Sequence, residues 1–220
     1  MLRSVKLELG CPVACIDGPY GVLDDVVIDP ISGKVTHLVV QREHRHDLAR
    51  LVPIERADAA DDGIKLGCTA AELDAFEHVQ ESSYLRLGKF PVADPDWEIG
   101  IEQVLGLPVY QDLDGMGTVI DPDPHVIVNY DRIPRNEVEI RRSSDVTSSD
   151  GHHLGHVEGF LVGPDDKVGE LVLERGHLWG HREVVIPYGA VAKIENDSVT
   201  LSLTKEQVAA LSSRKVNRWF

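Results

Sequence analysis

The sequence has little of several features whose absence excludes whole classes of protein. Three cysteines among 220 residues are too few for a paired disulfide framework. No run of about 18 apolar residues occurs that could span a bilayer. At the start of the chain, no positively charged segment is followed by the apolar core and small-residue cleavage site of a signal peptide. These absences predict a reduced, cytoplasmic protein with no membrane span.

Basic residues are outnumbered by acidic ones, and aromatic residues are scarce. The 22 Lys and Arg against 37 Asp and Glu give a net charge of −15, and aromatic residues make up 5% of the chain. Such a chain is repelled by phosphate backbones, so nucleic-acid binding is unlikely as a general activity. The hydrophobic fraction of 42% is typical of a globular protein, and the length suits one large or two small domains.

The chain repeats itself. The segment 17–30 aligns with 150–164 with one inserted residue, and 34–42 aligns with 167–175. The alignment continues at Leu51-Val52-Pro53 against Val185-Ile186-Pro187, and Thr69 meets Thr204. Two copies of a unit of roughly 75 residues follow, and a unit of that size is at the small end of what folds alone.

Each copy has the pattern of about five short strands followed by a short helix. In the first copy the predicted strands lie near 13–16, 22–28, 35–40, 51–54 and 64–66, separated by turn residues. Thr69 with Glu72, and Thr204 with Gln207, have the spacing of a capping box, which starts a helix. We expect a mostly β protein with two small antiparallel barrels, and a β-sandwich is the alternative.

The segment between the copies has a different composition. Six of the twelve prolines lie in 91–134, and 90–131 contains nine acidic residues without Lys or Arg. Proline with acid is typical of a tether, but Trp97 and the run Val126-Ile127-Val128 are too apolar for a fully solvated one. The predicted organisation is repeat one at 1–85, a connector at 86–134 that packs on a barrel, and repeat two at 135–220.

The two copies resemble PRC-barrel domains. The resemblance rests on the Asp-Gly turn, the Lys-Val-x-x-Leu-Val run, and above all Gly176-His177-Leu178-Trp179-Gly180 followed by Val184-Val185-Ile186-Pro187. It covers about 8–80 and 138–212. It implies a small β-barrel of the kind found in the cytoplasmic part of the photosynthetic reaction centre H subunit and in a ribosome-maturation factor. Those members act as binding and assembly modules.

This resemblance implies a non-enzymatic protein that binds a protein partner or associates with itself. The candidate partner-binding residues are His177, Leu178, Trp179 and His181, with His44 and His46 as their counterparts in the first copy. Trp179 is the expected anchor, because large aromatic side chains dominate interface energetics. The sequence contains no Gly-x-Ser-x-Gly elbow and no glycine-rich phosphate loop, so we expect no catalytic residues and no cofactor.

Two other functions stay open at this stage. His152, His153 and His156 could supply imidazoles to a transition metal in a metal-binding or stress protein, but solvated turn histidines are the favoured explanation, because the helical i, i+4 spacing of a zinc site is absent. A ribosome- or RNA-associated factor is the other alternative. Cys11 and Cys15 align with Ser144 and Ser148, so the cysteines are interpreted as core residues rather than as a redox or metal site.

Overall fold

Strands dominate the computed structural model, which describes residues 5–42, 45–60, 63–86, 97–106, 125–175, 182–211 and 213–215. In this part of the chain, three sheets and two short α-helices are present, together with 3₁₀ turns at Ile54–Arg56 and Tyr188–Ala190. The expected mostly β fold is confirmed. Closure of each unit into a barrel stays a prediction, although the first sheet is curled into half a barrel.

The first sheet forms, with helix α1, the first unit. Its strands run in the order β5-β4-β3-β2-β7-β6, with β11 beside β3. Their bounds are β2 (Pro12–Cys15), β3 (Gly18–Asp29), β4 (Lys34–Arg42), β5 (Arg45–Pro53), β6 (Ala57–Ala60), β7 (Gly63–Leu66) and β11 (Val138–Arg141), and α1 covers Ala70–Asp74.

The second sheet forms, with helix α2, the second unit and has the same arrangement. Its order is β16-β17-β12-β13-β14-β15-β18, with β1 beside β13. The bounds are β1 (Val5–Glu8), β12 (Asp145–Thr147), β13 (His153–Val162), β14 (Val168–Arg175), β15 (Arg182–Pro187), β16 (Val191–Glu195), β17 (Ser198–Leu201) and β18 (Ser213–Lys215), and α2 covers Lys205–Ala210.

Both helices begin at the predicted capping boxes. The Thr69 hydroxyl accepts from the Glu72 amide at 3.2 Å while the Glu72 carboxylate accepts from the Thr69 amide at 2.8 Å. Thr204 and Gln207 make the same reciprocal pair in the second unit. These bonds satisfy amides that the first helical turn leaves without intrahelical partners. Both predicted helix starts are confirmed.

The two units exchange a strand. Strand β1 pairs with β13 of the second unit, so that Val5 lies opposite Val162, whereas β11 pairs with β3 of the first unit, so that Val138 lies opposite Ile28. Each unit therefore borrows a strand that precedes the other unit along the chain. The predicted boundaries at 85 and 135 stay a prediction, but strand pairing crosses between the segments that they separate.

The hairpin turns of the two units also contact each other reciprocally. The Val35 amide donates to the Asp166 carbonyl, and the Val168 amide donates to the Gly33 carbonyl, both at 2.9 Å. Lys34 lies opposite Lys167 in an isolated bridge. Since 34–42 aligns with 167–175, these bonds have the reciprocity of an isologous dimer contact. The buried residues of both units accordingly form one continuous apolar cluster.

A third sheet lies beside the first unit. It consists of β8 (Gln80–Arg86), β10 (His125–Pro134) and β9 (Trp97–Gly106), in that spatial order. Trp97 packs against a small buried cluster that includes Val27, Val39 and Ile133. The Arg132 guanidinium lies 4.7 Å from the centroid of the Trp97 ring. Thus Trp97, one of the apolar residues of the predicted connector, packs on the outer face of the first sheet.

Candidate functional site

The predicted partner-binding residues fall mostly outside the described part of the chain. This applies to His44, His177, Leu178, Trp179 and His181, while His46 lies in β5 with only its backbone described. The strands that flank both segments are described. Arg42 pairs with Arg45 across β4 and β5, and Arg175 pairs with Arg182 across β14 and β15. The two segments therefore join corresponding strand pairs in the two units.

Two of the three candidate metal-ligating histidines are brought together. His153 Nε2 lies 3.0 Å and His156 Nδ1 lies 3.3 Å from the same carboxylate oxygen of Asp145. The three side chains are exposed, and a ligand atom from each lies within 4.8 Å of the others. His152 points elsewhere and makes a 3.7 Å contact with Asp150. The group is thus two histidines and an aspartate, not three histidines.

The register of one hairpin creates this Asp145–His153–His156 cluster. Asp145 lies opposite His156 and Thr147 lies opposite His153, with a bulge between Val146 and Thr147. The sequence analysis missed Asp145. Counting residues back from the Asp150-Gly151 turn would have placed Asp145 opposite His156. The position of His153 could not be predicted in this way, because the bulge shifts its pairing by one residue and the residue pattern does not show a bulge.

A second polar cluster lies in the first unit. The Tyr20 hydroxyl donates to one Asp74 oxygen at 2.7 Å, and Arg42 Nη1 donates to the other at 2.8 Å. Burial, and then the bond to Asp74, raises the pKa of Tyr20 to about 12. That same bond lowers the pKa of Asp74. Sequence analysis missed this cluster, because its members come from β3, β4 and α1.

Three buried carboxylates meet where the third sheet joins the first. Asp25 of β3, Asp131 of β10 and Glu139 of β11 are at most 2% exposed, and their oxygens lie within 4.8 Å of one another. Arg141 places its Nη2 atom 3.7 Å from the Asp131 carboxylate. These contacts link strands from different sheets, and the positive charge offsets part of the carboxylate repulsion.

The cysteines lie in the core as expected. Cys15 and Cys68 are buried and Cys11 is partly buried, all three as free thiols. Burial is the main cause that raises the pKa of Cys11 to about 11 and that of Cys15 to about 11, and it also raises the pKa of Cys68. Because the thiolate is the reactive form, these residues are poor nucleophiles and poor metal ligands near neutral pH.

The native protein is therefore expected to resist alkylation. A thiol with a pKa near 11 is only about 0.1% ionised at pH 8, and burial restricts access further. Iodoacetamide at pH 8 should label Cys11 and Cys15 at least a hundredfold more slowly in native protein than in urea, as measured by mass spectrometry over time. Labelling of either thiol at the rate of the unfolded control would contradict this expectation.

Comparison with known proteins agrees with the β-barrel interpretation of the second unit. Residues 142–208 match the family described as the PRC-barrel domain. The match runs from just after β11 to α2 and includes the Asp145–His153–His156 cluster. No curated protein gives a significant match to this chain.

The sequence predicts a chain without a membrane span. Neither α1 nor α2, the α-helices in the described ranges, has the length and apolar character that crossing a membrane requires.

The presence of a PRC-barrel domain supports a general role in protein interaction.

Proposed function

We propose that this chain is a non-enzymatic protein-interaction or assembly module of PRC-barrel type, in which the first unit is a second, diverged copy of the domain. The observation that carries the proposal is the PRC-barrel match over 142–208. The segment His177–His181 lies within the matched range and joins β14 to β15, and it holds the predicted anchor Trp179. The partner is another protein or a second copy of the chain, in the cytoplasm.

The backbone of the first unit supports the proposal that it is a copy of the second. The ladder between β3 and β4 has its irregularities between Leu23 and Asp25 and between Val27 and Ile28. The ladder between β13 and β14 has them between Val157 and Gly159 and between Leu161 and Val162. Bulges are position-specific features of a fold. Their coincidence in aligned strands therefore favours a common ancestral unit.

The experiment tests Trp179 as an anchor. Untagged protein from its native host should give a discrete oligomer or a stoichiometric complex by native mass spectrometry. Trp179→Ala should weaken that assembly by roughly thirtyfold or more, as expected for an aromatic hot spot, whereas Trp179→Phe retains most of it. The melting curve of each variant, followed by circular dichroism, checks that the fold is intact. A monomer without bound protein, or equal assembly by both variants, would contradict the proposal.

A transition-metal site is a second candidate, favoured by the Asp145–His153–His156 cluster. Ligand atoms about 2.0 Å from a tetrahedral zinc ion lie about 3.3 Å apart, which is close to the two spacings to Asp145, 3.0 and 3.3 Å. His156 Nδ1 also lies 3.1 Å from the Ser143 carbonyl oxygen, and this hydrogen bond must break before that nitrogen can bind an ion. Two imidazoles and a carboxylate, with water as fourth ligand, form a common donor set for zinc and similar ions. The side chains are exposed, so an ion could reach them without unfolding.

A measurement of zinc binding distinguishes a metal site from simple ion pairs among these side chains. Titration calorimetry of metal-free protein is expected to give one zinc ion per chain. His153→Ala or His156→Ala should weaken binding at least tenfold, and Asp145→Asn should also weaken it. His152→Ala is the matched control, because His152 lies beside the cluster without joining it, and should leave binding unchanged. Equal effects of His152→Ala and His153→Ala would contradict the site.

A further inference from the structure

A buried arginine in the first unit has donors that the fold does not use. Arg50 of β5 is 8% exposed. Neither its Nε nor its Nη1 atom has a hydrogen-bond partner among the described residues. A buried charged group with unused donors is costly. Such a side chain calls for an acceptor that comes from outside the described part of the fold.

Arg50 interacts electrostatically with the polar cluster of the first unit. Its charge acts on both Tyr20 and Asp74, the side chains of the polar cluster described above. Arg42 joins the same cluster through Asp74, and its guanidinium lies 5.4 Å from the Tyr20 ring centroid. The Asp74 carboxylate is thus bonded to both Tyr20 and Arg42, and neither bond supplies an acceptor to the Nε or Nη1 atom of Arg50.

The second unit shows that a unit of this fold can be built without such a cluster. Arg50 lies opposite Val40 between β4 and β5, and the corresponding pair in the second unit is Val184 opposite Leu173. Val184 is buried at 2% exposure. Tyr20 and Asp74 likewise correspond to Leu154, which precedes the glycine that matches Gly21, and to Ala209, which follows the buried residue of α2.

Apolar residues therefore occupy the positions of Arg50, Tyr20 and Asp74 in the second unit, whereas the position of Arg42 keeps an arginine there, Arg175. A buried arginine that packing does not require lowers stability unless its charge is compensated. Its presence in one unit, where its charge acts on Asp74, indicates a polar site rather than a requirement of the scaffold.

We propose that Arg50 binds a carboxylate in the first unit. A carboxylate matches the planar donor geometry of a guanidinium, which can donate two parallel N–H bonds to its two oxygens. The carboxylate comes either from a small free acid or from an acidic side chain of a bound protein. The proposal rests on described residues alone and does not depend on Trp179 or on the PRC-barrel match.

Nuclear magnetic resonance of the arginine side chains tests the proposal. In ¹⁵N-labelled full-length protein, sodium acetate should shift the Arg50 Nε–Hε signal saturably, and sodium chloride at equal ionic strength should not. Arg50→Val assigns the signal and is expected to fold, because valine occupies the matching position of the second unit. Arg50→Lys, which keeps the charge but loses the planar fork, provides an independent assignment and should weaken acetate binding several-fold. A shift that fails to saturate, or that chloride reproduces, would overturn the proposal.

Removal of the Asp74 charge distinguishes a site that binds acetate from a purely structural cluster. Asp74→Asn removes the carboxylate that competes for the arginines, so acetate should bind at least threefold more tightly. Unchanged or weaker acetate binding in a folded Asp74→Asn variant would count against the site.

Two further probes identify the source of the carboxylate. A short blocked peptide with one glutamate is compared with acetate, and the same peptide with glutamine is the control. Peptide binding at least tenfold tighter than acetate assigns the site to an acidic side chain of a protein, and equal binding assigns it to a small free acid. Equal binding of the glutamate and glutamine peptides, together with no response to acetate, would refute both forms.

Discussion

Removal of residues 1–9 is expected to unfold the second unit, although more than a hundred residues separate this segment from that unit along the chain. Strand β1 forms the ladder with β13, and the Leu9 amide donates to the Glu158 carbonyl at 2.9 Å. Leu7 and Leu9 are buried at 3% and 1% exposure in the cluster that both units share. Burial of the two leucine side chains alone stabilises the fold by roughly 3–6 kcal/mol.

That loss is comparable with the entire stability of many domains, about 5–15 kcal/mol. Urea denaturation followed by circular dichroism should show a large decrease in the midpoint for the truncated protein, and a synthetic peptide of residues 1–10 should restore it. Lys6→Ala is the control in the full-length chain, because Lys6 is exposed and its contacts with Glu8 and Glu183 are surface ion pairs worth little. An unchanged midpoint after truncation would show that β1 does not hold the second unit together.

Gly155→Ala is expected to be among the most destabilising additions of a single methyl group. A Cβ at Gly155 would lie 2.1 Å from the Glu174 carbonyl oxygen, and the residue has φ of +142°. The first unit repeats the same close approach, where a Cβ at Gly21 would lie 2.0 Å from the Gln41 carbonyl oxygen. The obstacle is backbone, so relief requires β13 and β14 to separate.

We expect either substitution to cost about 3 kcal/mol or more, at the upper end for point mutants. Two glycines calibrate the measurement by urea denaturation. Gly151→Ala meets no atom within 4 Å but has φ of +77°, so it should cost about 1–2 kcal/mol through backbone strain alone. Gly189→Ala has neither constraint, so it should change stability by less than about 0.5 kcal/mol. A Gly155→Ala variant as stable as Gly189→Ala would mean that the strands do not approach so closely.

Local patterns predicted the individual elements well. The turn residues and β-branched runs placed the cores of β2, β3, β4, β5 and β7, and the Thr-x-x-Glu and Thr-x-x-Gln spacings placed both helix starts. These signals depend on residues within one turn or one strand of each other, which is why the sequence alone carries them.

The same local patterns could not predict which strands pair with one another. The residues of Val5–Glu8 do not show whether this strand pairs with β13 or with β3. Both β13 and β3 have a buried face and an edge that can accept another strand. Only the assembled core selects between them, since the exchange lets Leu7 and Ile140 enter one cluster shared by both units. A pattern of alternating burial specifies that a strand forms and which face is buried, not which neighbour it joins.

The candidate sites also combine residues that the sequence could single out with residues that only the fold brings together. The histidines of the 152–156 turn could be singled out by residue type, but Asp145 joined them through strand register. Arg50 could be considered for the proposed carboxylate site only because the fold brings its charge to act on Tyr20 and Asp74.

By itself the sequence determined the mostly β composition, the helix caps, the internal sequence repetition and the placement of the cysteines in the core. Each of these follows from residue type and short spacing, whose energetics are local. The tertiary structure decided the exchange of β1 and β11, the single shared core and the groups that meet in each cluster. Those depend on the free energy of burying surfaces from distant parts of the chain against one another, which no local pattern contains.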